Sequence, residues 1–343
     1  MSNQEFRLCE SNAGDYLRRR GEVREVFSVT KLGGGVSNTV LKASTDQGDL
    51  VLKQPFGNLR VEDDWPADRN RVHNEASATR IHEDVLEAHE IEHTTVPGVI
   101  DEDHQHHIIT IESAPETARM WKQDLLESQV DLSIAKRLGR VLGLIHETVE
   151  GKRDIREKFQ SPKPFYQLRI QPYHETTAQR HPEFSKAILD ERDRIRNVSQ
   201  TLVHGDYSPK NILVDYETPN DCTWILDFEV AHWGDPAFDT AFMLNHLFIK
   251  SIYRYSHHDA FTTAAQSFWH EYNQVVSGSI ETETVRELGV LMLARVDGKS
   301  PVEYVTDEPI KDALRWTAQN TLSERVNSLE EFTALTDQAV ASL

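Results

Sequence analysis

Cysteine is nearly absent from this chain of 343 residues: Cys9 and Cys222 are the only two, far apart in sequence. That excludes a disulfide framework and a cysteine-rich zinc site, and a reducing compartment is the simpler setting. No apolar run approaches the roughly 20 residues that span a bilayer. Positive charge is also short. Lys and Arg number 37 against 56 Asp and Glu, a formal net charge of −19. Such a chain repels phosphate backbones and anionic lipid, so neither nucleic acid nor a membrane is an expected partner. Any anionic ligand must meet a local positive site or arrive with metal ions. The opening residues, MSNQEFRLCESN, carry no basic-then-apolar signal pattern, so a cytoplasmic protein is expected. The cations are 24 Arg and only 13 Lys, a balance that with the acidity suits a saline cell.

The remainder is globular in character. Apolar residues make up 38% and charged residues 27%. A chain of this length buries about 75% of its unfolded surface, enough for a large core or two lobes. No internal repeat or low-complexity tract interrupts it. The first twenty residues read as a short helix that ends in Arg18-Arg19-Arg20 before Gly21, where cations and glycine suit a helix C-terminus. From Val26 to Lys53 the chain reads as antiparallel strands separated by Gly33-Gly34-Gly35 and by Asp46-Gln47-Gly48-Asp49. Residues 57–71 are polar, 71–90 read as helix, and strands are expected near 96–101 and 107–112. Beyond Pro115 helices dominate. Leu132, Ala135, Leu138, Leu142 and Ile145 recur at the spacing of one helix face. Short strand-like runs return at 201–204, 211–214 and 223–227. The fold class expected is α+β, with a β-rich front lobe over 1–115 and a mainly helical back lobe over 116–343.

The strongest chemical signal is Leu202-Val203-His204-Gly205-Asp206-Tyr207-Ser208-Pro209-Lys210-Asn211-Ile212-Leu213-Val214. A strand enters a polar loop and a strand leaves it. The loop presents a carboxylate at Asp206 and an amide oxygen at Asn211. Sixteen residues later, Trp224-Ile225-Leu226-Asp227 delivers a second carboxylate at the end of an apolar strand. Phosphoryl transfer needs this inventory: a carboxylate to position a hydroxyl, hard oxygens to hold Mg²⁺ against a triphosphate, and a cation for the developing charge. Singly, Asp and Asn in loops do no more than make turns. The joint pattern favours chemistry.

The front lobe supplies complementary parts. Gly33-Gly34-Gly35, followed by Ser37 and Asn38, forms a turn whose backbone can approach phosphates closely. Alone, it reads as an ordinary hairpin. Val51-Leu52-Lys53 then places a lysine on an apolar strand, and Glu75 falls in the predicted helix 22 residues later. A lysine held by a glutamate and aimed at nucleotide phosphates is the arrangement of kinases.

These residues, with Asp227-Phe228-Glu229 and Gly234-Asp235-Pro236 through Asp239, resemble the aminoglycoside phosphotransferase and choline kinase superfamily. Its members are small-molecule kinases with a protein-kinase-like bilobal fold. The resemblance covers roughly residues 26–250. It implies that Asp206 is the catalytic aspartate, that Asn211 and Asp227 bind Mg²⁺, and that Lys53 and Glu75 pair at the ATP phosphates. It also implies a hinge at 111–115, where the backbone of Glu112, Ser113 and Ala114 receives adenine, and a bracing role for Asp235 and Asp239. A narrower resemblance, to 5-methylthioribose kinases, rests on two stretches. One is Leu52-Lys53-Gln54-Pro55, Arg60-Val61, Trp65-Pro66 and Arg69 through Glu75; the other is Ala231-His232-Trp233-Gly234-Asp235-Pro236-Ala237-Phe238-Asp239. The chain departs from that family in having Asn211 and Asp227-Phe228-Glu229, and in lacking an adjacent arginine pair near its C-terminal end, where Arg295 stands alone.

The expected activity is an ATP- and Mg²⁺-dependent transfer to a hydroxyl of a small molecule. A sugar such as a methylthioribose-like compound is the favoured acceptor, with choline, amino alcohols or aminoglycosides as alternatives. A nucleotide-binding pseudokinase is the non-enzymatic alternative. Candidate acceptor contacts are Trp65 in the 57–71 loop, Glu229, Trp233 and Arg295. For Arg295 a helix end capped by Gly298 is the slightly favoured role. His104, His106 and His107 sit beside Asp101-Glu102-Asp103 and read as a solvated hairpin turn in preference to a metal site.

Overall fold

The computed structural model describes residues 6–33, 37–59, 65–218, 221–323 and 326–343. The chain forms two compact units. The first comprises Met1–Ala118 with Asp215–Val230, and the second Arg119–Val214 with Ala231–Leu343.

In the first unit, β1 (Val26–Lys31), β2 (Asn38–Thr45), β3 (Gly48–Pro55), β5 (Val99–Asp103) and β6 (Ile108–Glu112) form an antiparallel sheet in the order β1-β2-β3-β6-β5. The β2–β3 turn needs Gly48, whose φ is 104°. Alternation along β3 divides its side chains between two faces. Leu50 and Leu52 pack with Ala13 and Leu17 of the helix Glu10–Arg20. Val51 packs with Val72 and Ala76 of the helix Arg71–Ala88. Lys53 shares the parity of Val51, so the strand period carries it to the side of the helix that bears Glu75. The Glu10–Arg20 helix ends at Gly21, φ 85°, and Arg20 grips Asp101 through two hydrogen bonds of 2.6 and 2.7 Å.

The sequence reading placed everything beyond 116 in the back lobe. Packing assigns 215–230 to the first unit instead. The reason is pairing: β10 (Cys222–Ile225) lies parallel to the two-residue β4 (Thr94–Thr95), and Phe228 stacks at a tilt on His82.

In the second unit, β7 (Arg119–Met120) pairs with β9 (Ile212–Asp215) at Val214 and Leu213, and β8 (Thr201–Val203) pairs with β11 (His232–Gly234). Helices make up most of the rest. Leu132–Val149 starts at Asp131, whose carboxylate accepts the Ser133 N–H at 2.7 Å, and it buries Ile134, Ala135, Leu138, Leu142 and Ile145. Gly139 lets this helix approach His258–Asn273 closely, since a Cβ there would strike the Phe268 carbonyl. Pro236–Tyr253 is buried on nearly every side, as a central helix requires, and Glu281–Asp297 packs beside it. The segment Tyr166–Glu175 was not anticipated. It is a π-helix containing Pro172, and the Thr176 N–H closes back on the Gln171 carbonyl five residues earlier. Among the described residues no helix is long and apolar enough to cross a membrane.

Candidate active site

The first unit gathers carboxylates around one lysine. Lys53 Nζ donates to Glu75 Oε1 and lies 3.4 Å from Asp227 Oδ1. Glu75 is buried in the helix Arg71–Ala88, whereas Asp227 retains about a quarter of its side-chain exposure. Burial works against the Lys53 charge, but the Glu75 and Asp227 carboxylates outweigh it and hold the ammonium above its usual range. Burial pushes the Glu75 carboxyl up to about 7 against the pull of Lys53, with Asp227 and Glu229 adding to the rise. Asp227 adopts φ 70°, the left-handed region. For a residue other than glycine this is a strained backbone of a kind that gathers at functional sites.

A second network supports the first. Arg71 is fully buried. It donates to Glu229 Oε2 at 3.0 Å and to the carbonyls of Ser37, Phe56 and Asp68 at 2.7–3.0 Å. Asn38 Nδ2 also reaches Glu229 Oε2, at 2.9 Å. The Glu229 carboxylate is thereby engaged with the start of β2 and with the Glu75 helix. Arg71 escaped the sequence reading because an arginine at the start of a helix resembles a surface residue until its burial is known.

The second unit surrounds one carboxylate with cations. Gly205, φ 76°, turns the loop after β8. Asp239 Oδ2 and Oδ1 accept the N–H groups of His204 and Gly205 at 2.6 and 2.8 Å, so the loop is pinned to the helix Pro236–Tyr253. Asp235 caps that helix by accepting the Ala237 N–H at 2.9 Å, and it pairs with Arg194. Asp206 Oδ2 accepts from Asn211 Nδ2 at 2.8 Å and lies 2.9 Å from Lys210 Nζ. Asp206 Oδ1 lies 2.9 Å from an Arg169 nitrogen but receives no aligned hydrogen bond. Burial alone would raise the Asp206 pKa. Arg169 and Lys210, with hydrogen bonds from Lys210 and Asn211, prevail and hold it at about 2. Arg169 comes from the π-helix, and its Nε also donates to the Gly205 carbonyl at 2.8 Å. No local sequence signal marks it.

The other predicted residues fall as follows. Gly33 lies in the β1–β2 turn, with open space where a Cβ would project; Gly34, Gly35, Arg60 and Val61 lie outside the described residues. Ser37 contributes its carbonyl to Arg71. Glu112 ends β6, and Ser113 donates its N–H to Asp49 and its hydroxyl to the Ala114 carbonyl. Trp65 is 7% exposed, and its backbone closes the loop through Asn58 Oδ1 and the Leu59 N–H. Trp233 on β11 is also buried, edging a cleft of about 470 Å³ with Arg153, Arg156 and Gln160. Arg295 lies near the end of Glu281–Asp297, donating to Ser300 Oγ at 3.0 Å and to its carbonyl. The Gly298 N–H also closes that helix on Ala294. The hairpin histidines meet the Glu75 helix: Glu102 lies 2.8 Å from His73 and 3.5 Å from His104, with its second oxygen on Arg80.

Comparison with known proteins agrees with this architecture. Methylthioribose kinases 1 and 2 of Oryza sativa subsp. japonica are 24% identical over 270 residues, covering 70% of this chain and 60% and 61% of theirs. The match thus spans less than two thirds of these relatives' length. Among solved structures, a spectinomycin phosphotransferase bound to ADP and spectinomycin has a TM-score of 0.52 at 15% identity, covering 98% of this chain and 100% of that one. An amicoumacin kinase bound to AMP-PNP and Ca²⁺ has a TM-score of 0.55 at 13% identity, covering 90% and 93%. Likenesses at this identity establish a shared kinase-like α+β fold. The model of the phosphotransferase enzyme family matches residues 28–269, most of the chain and both carboxylate loops, and the protein belongs to that family.

Proposed function

We propose that the protein is an ATP- and Mg²⁺-dependent kinase that transfers the γ-phosphoryl group to a hydroxyl of a small molecule. The observation that carries this reading is Asp206: a buried carboxylate held ionised by two cations, with Oδ2 fixed by Asn211 and Oδ1 lacking a hydrogen bond. Such a group orients an acceptor hydroxyl through Oδ1. A carboxylate with a pKa near 2 is a weak base, but a loose phosphoryl-transfer transition state asks mainly for positioning. In the first unit, Lys53, steadied by Glu75, is the group for the nucleotide phosphates. Gly33, Ser37 and Asn38 form the described part of the phosphate turn, and the backbone at Glu112 and Ala114 is the adenine hinge.

The donor chemistry suits Mg²⁺. Asn211 directs its amide nitrogen at Asp206, which leaves its oxygen, and Asp227 supplies a carboxylate; both are hard ligands. When bound, the ion neutralises triphosphate charge. Glu229 is assigned to bracing, through Arg71, in place of an acceptor contact. The acceptor class is a sugar or sugar-like alcohol, of which methylthioribose, named for the rice relatives, is one member. A cytoplasmic setting, where ATP is supplied, fits this role.

The test is ADP release over a panel of sugars, amino alcohols and aminoglycosides, with and without Mg²⁺. Asp206→Asn is expected to cut turnover by roughly 10²–10⁴-fold with little change in ATP affinity. Undiminished turnover removes Asp206 from the mechanism.

A further inference from the structure

The second unit holds two cations that form no ion pair with an acid among the described residues. Lys250 is 0% exposed. Its Nζ donates to the His246 carbonyl at 3.2 Å and lies 5.3 Å from the centre of the Tyr304 ring. Arg295 donates to Tyr173 Oη at 3.4 Å and to Ser300, while its Nε is buried without a partner. Among the described residues no carboxylate pairs with either. Burying a cation without an anion is costly. Both residues lie in the last turn of a helix, where the dipole favours positive charge, but that effect is small and offsets only part of the cost. In a chain of net charge −19, carboxylates are plentiful, yet the one that acts on Lys250, Glu303, is paired with Lys122.

The two cations sense each other. Burial first, then Lys122 and Arg295, lower the Lys250 pKa to about 7 against the pull of Glu303. Glu303 is mostly exposed and paired with Lys122. Burial, then Lys250 and Arg295, keep His246 neutral well below its usual range. Tyr173 is buried, yet Arg295 and Arg169 pull its phenol below the ordinary value.

This cationic region adjoins Asp206. The Tyr173 ring has Arg295 5.7 Å from its centre and Arg169 5.8 Å from it, and Arg169 lies 2.9 Å from Asp206. One aromatic ring thus separates the guanidinium without an acid from the one that attends the candidate catalytic carboxylate.

We propose that the acceptor carries an oxyanion, a phosphate or a carboxylate, in addition to the hydroxyl it presents, and that Arg295 and Lys250 bind that oxyanion. The proposal deepens the kinase reading and rests on it. It separates this protein from aminoglycoside and choline acceptors, whose positive charge the same cations would repel. Within the sugar-like class it selects sugar phosphates and sugar acids over neutral sugars.

The experiment measures ADP release with MgATP and five acceptors: D-ribose 5-phosphate, D-gluconate, D-ribose, choline and kanamycin. An anionic acceptor is expected to have a KM at least ~10-fold below that of the neutral or cationic ones, as suits a charged hydrogen bond. The first two probes distinguish phosphate from carboxylate. Arg295→Gln is expected to raise the KM for the anionic acceptor by roughly 10–100-fold with a smaller change in kcat, and Arg295→Lys to restore part of it. Lys250→Met removes a buried amine whose charge burial resists. It is expected to raise the melting temperature while weakening the anionic acceptor, a combination that a purely structural lysine does not produce. Equal efficiency with neutral or cationic acceptors, or an Arg295→Gln effect independent of acceptor charge, overturns the proposal. Failure of every acceptor removes the kinase reading instead. The oxyanion site is then judged by calorimetry with inorganic phosphate: binding lost in Arg295→Gln supports it, and no binding overturns it.

Discussion

The two units handle charge in opposite ways. In the first, Lys53 faces Glu75 and Asp227, with Glu229 close enough to act on the same group. In the second, Asp206 lies against Arg169 and Lys210, with Arg295 beyond Tyr173 and Lys250 over Tyr304. The first cluster has acid to spare, and the second has cation to spare. Neither imbalance is favourable when buried, and each asks for a ligand of the opposite sign. The proposed divalent cation answers the first and the proposed oxyanion the second. The pKa directions express the same contrast: Glu75 is pushed up to about 7, while Asp206 is held at about 2. Two buried carboxylates in one chain thus differ in their ease of ionisation because their neighbours differ.

Breaking the support of the first cluster is expected to have the largest effect on stability. Arg71→Met leaves Glu229 buried beside lost hydrogen bonds and is expected to cost about 3–5 kcal/mol, the range for one partner of a buried ion pair. Urea unfolding measures it, and the double variant Arg71→Met/Glu229→Gln should recover part of the loss. An effect below ~1 kcal/mol would show that the network does not hold the first unit together.

An intermediate effect separates the two carboxylates by pH. The folded pKa of Asp206 lies below its unfolded value of about 3.9. Its contribution, about 2–3 kcal/mol, is therefore present at neutral pH and lost as pH falls from about 5 toward 2. Glu75 has the opposite sign. Its folded pKa, about 7, exceeds the ordinary glutamate value of 4.5, so protonation between those values favours the folded state. Its burden is present above pH 7 and relieved as pH falls. Unfolding free energies from pH 8 down to pH 3 are expected to show both slopes, and Asp206→Asn should flatten the acid one.

The smallest effect sharpens the comparison at a single atom. Glu75→Gln keeps the shape and removes a charge that burial already resists. It is expected to raise stability by no more than about 2 kcal/mol at pH 6, the linkage set by the raised pKa, and to flatten the slope between pH 5 and 7. The same variant should raise the KM for ATP, because Lys53 loses the group that aims it. A slope that survives in Glu75→Gln would assign that titration to another group.

Local pattern was enough for the elements and for naming the candidate groups in the loops. The period-two runs from Val26 to Lys53 and the glycine at position 48 dictate strands and their turn, since backbone sterics and alternation act within a few residues. The 3.6-residue spacing of Leu132 to Ile145 dictates a helix for the same reason. Asp206, Asn211 and Asp227 stood out because their chemistry is unusual at strand ends, and Lys53 because it interrupts an apolar strand. Tertiary structure alone decided the rest. Residues 215–230 joined the first unit through β10 and β4, a pairing across more than a hundred residues that no local period encodes. Arg71 and Glu229 became a buried brace only once separate segments converged on them. Arg169 reached Asp206 from a π-helix, and Arg295 and Lys250 sit on two helices that pack together. An arginine or lysine in a helix reads as solvated wherever it occurs. Whether it is buried, and whether an acid stands opposite it, depends on what other parts of the chain bring to its side.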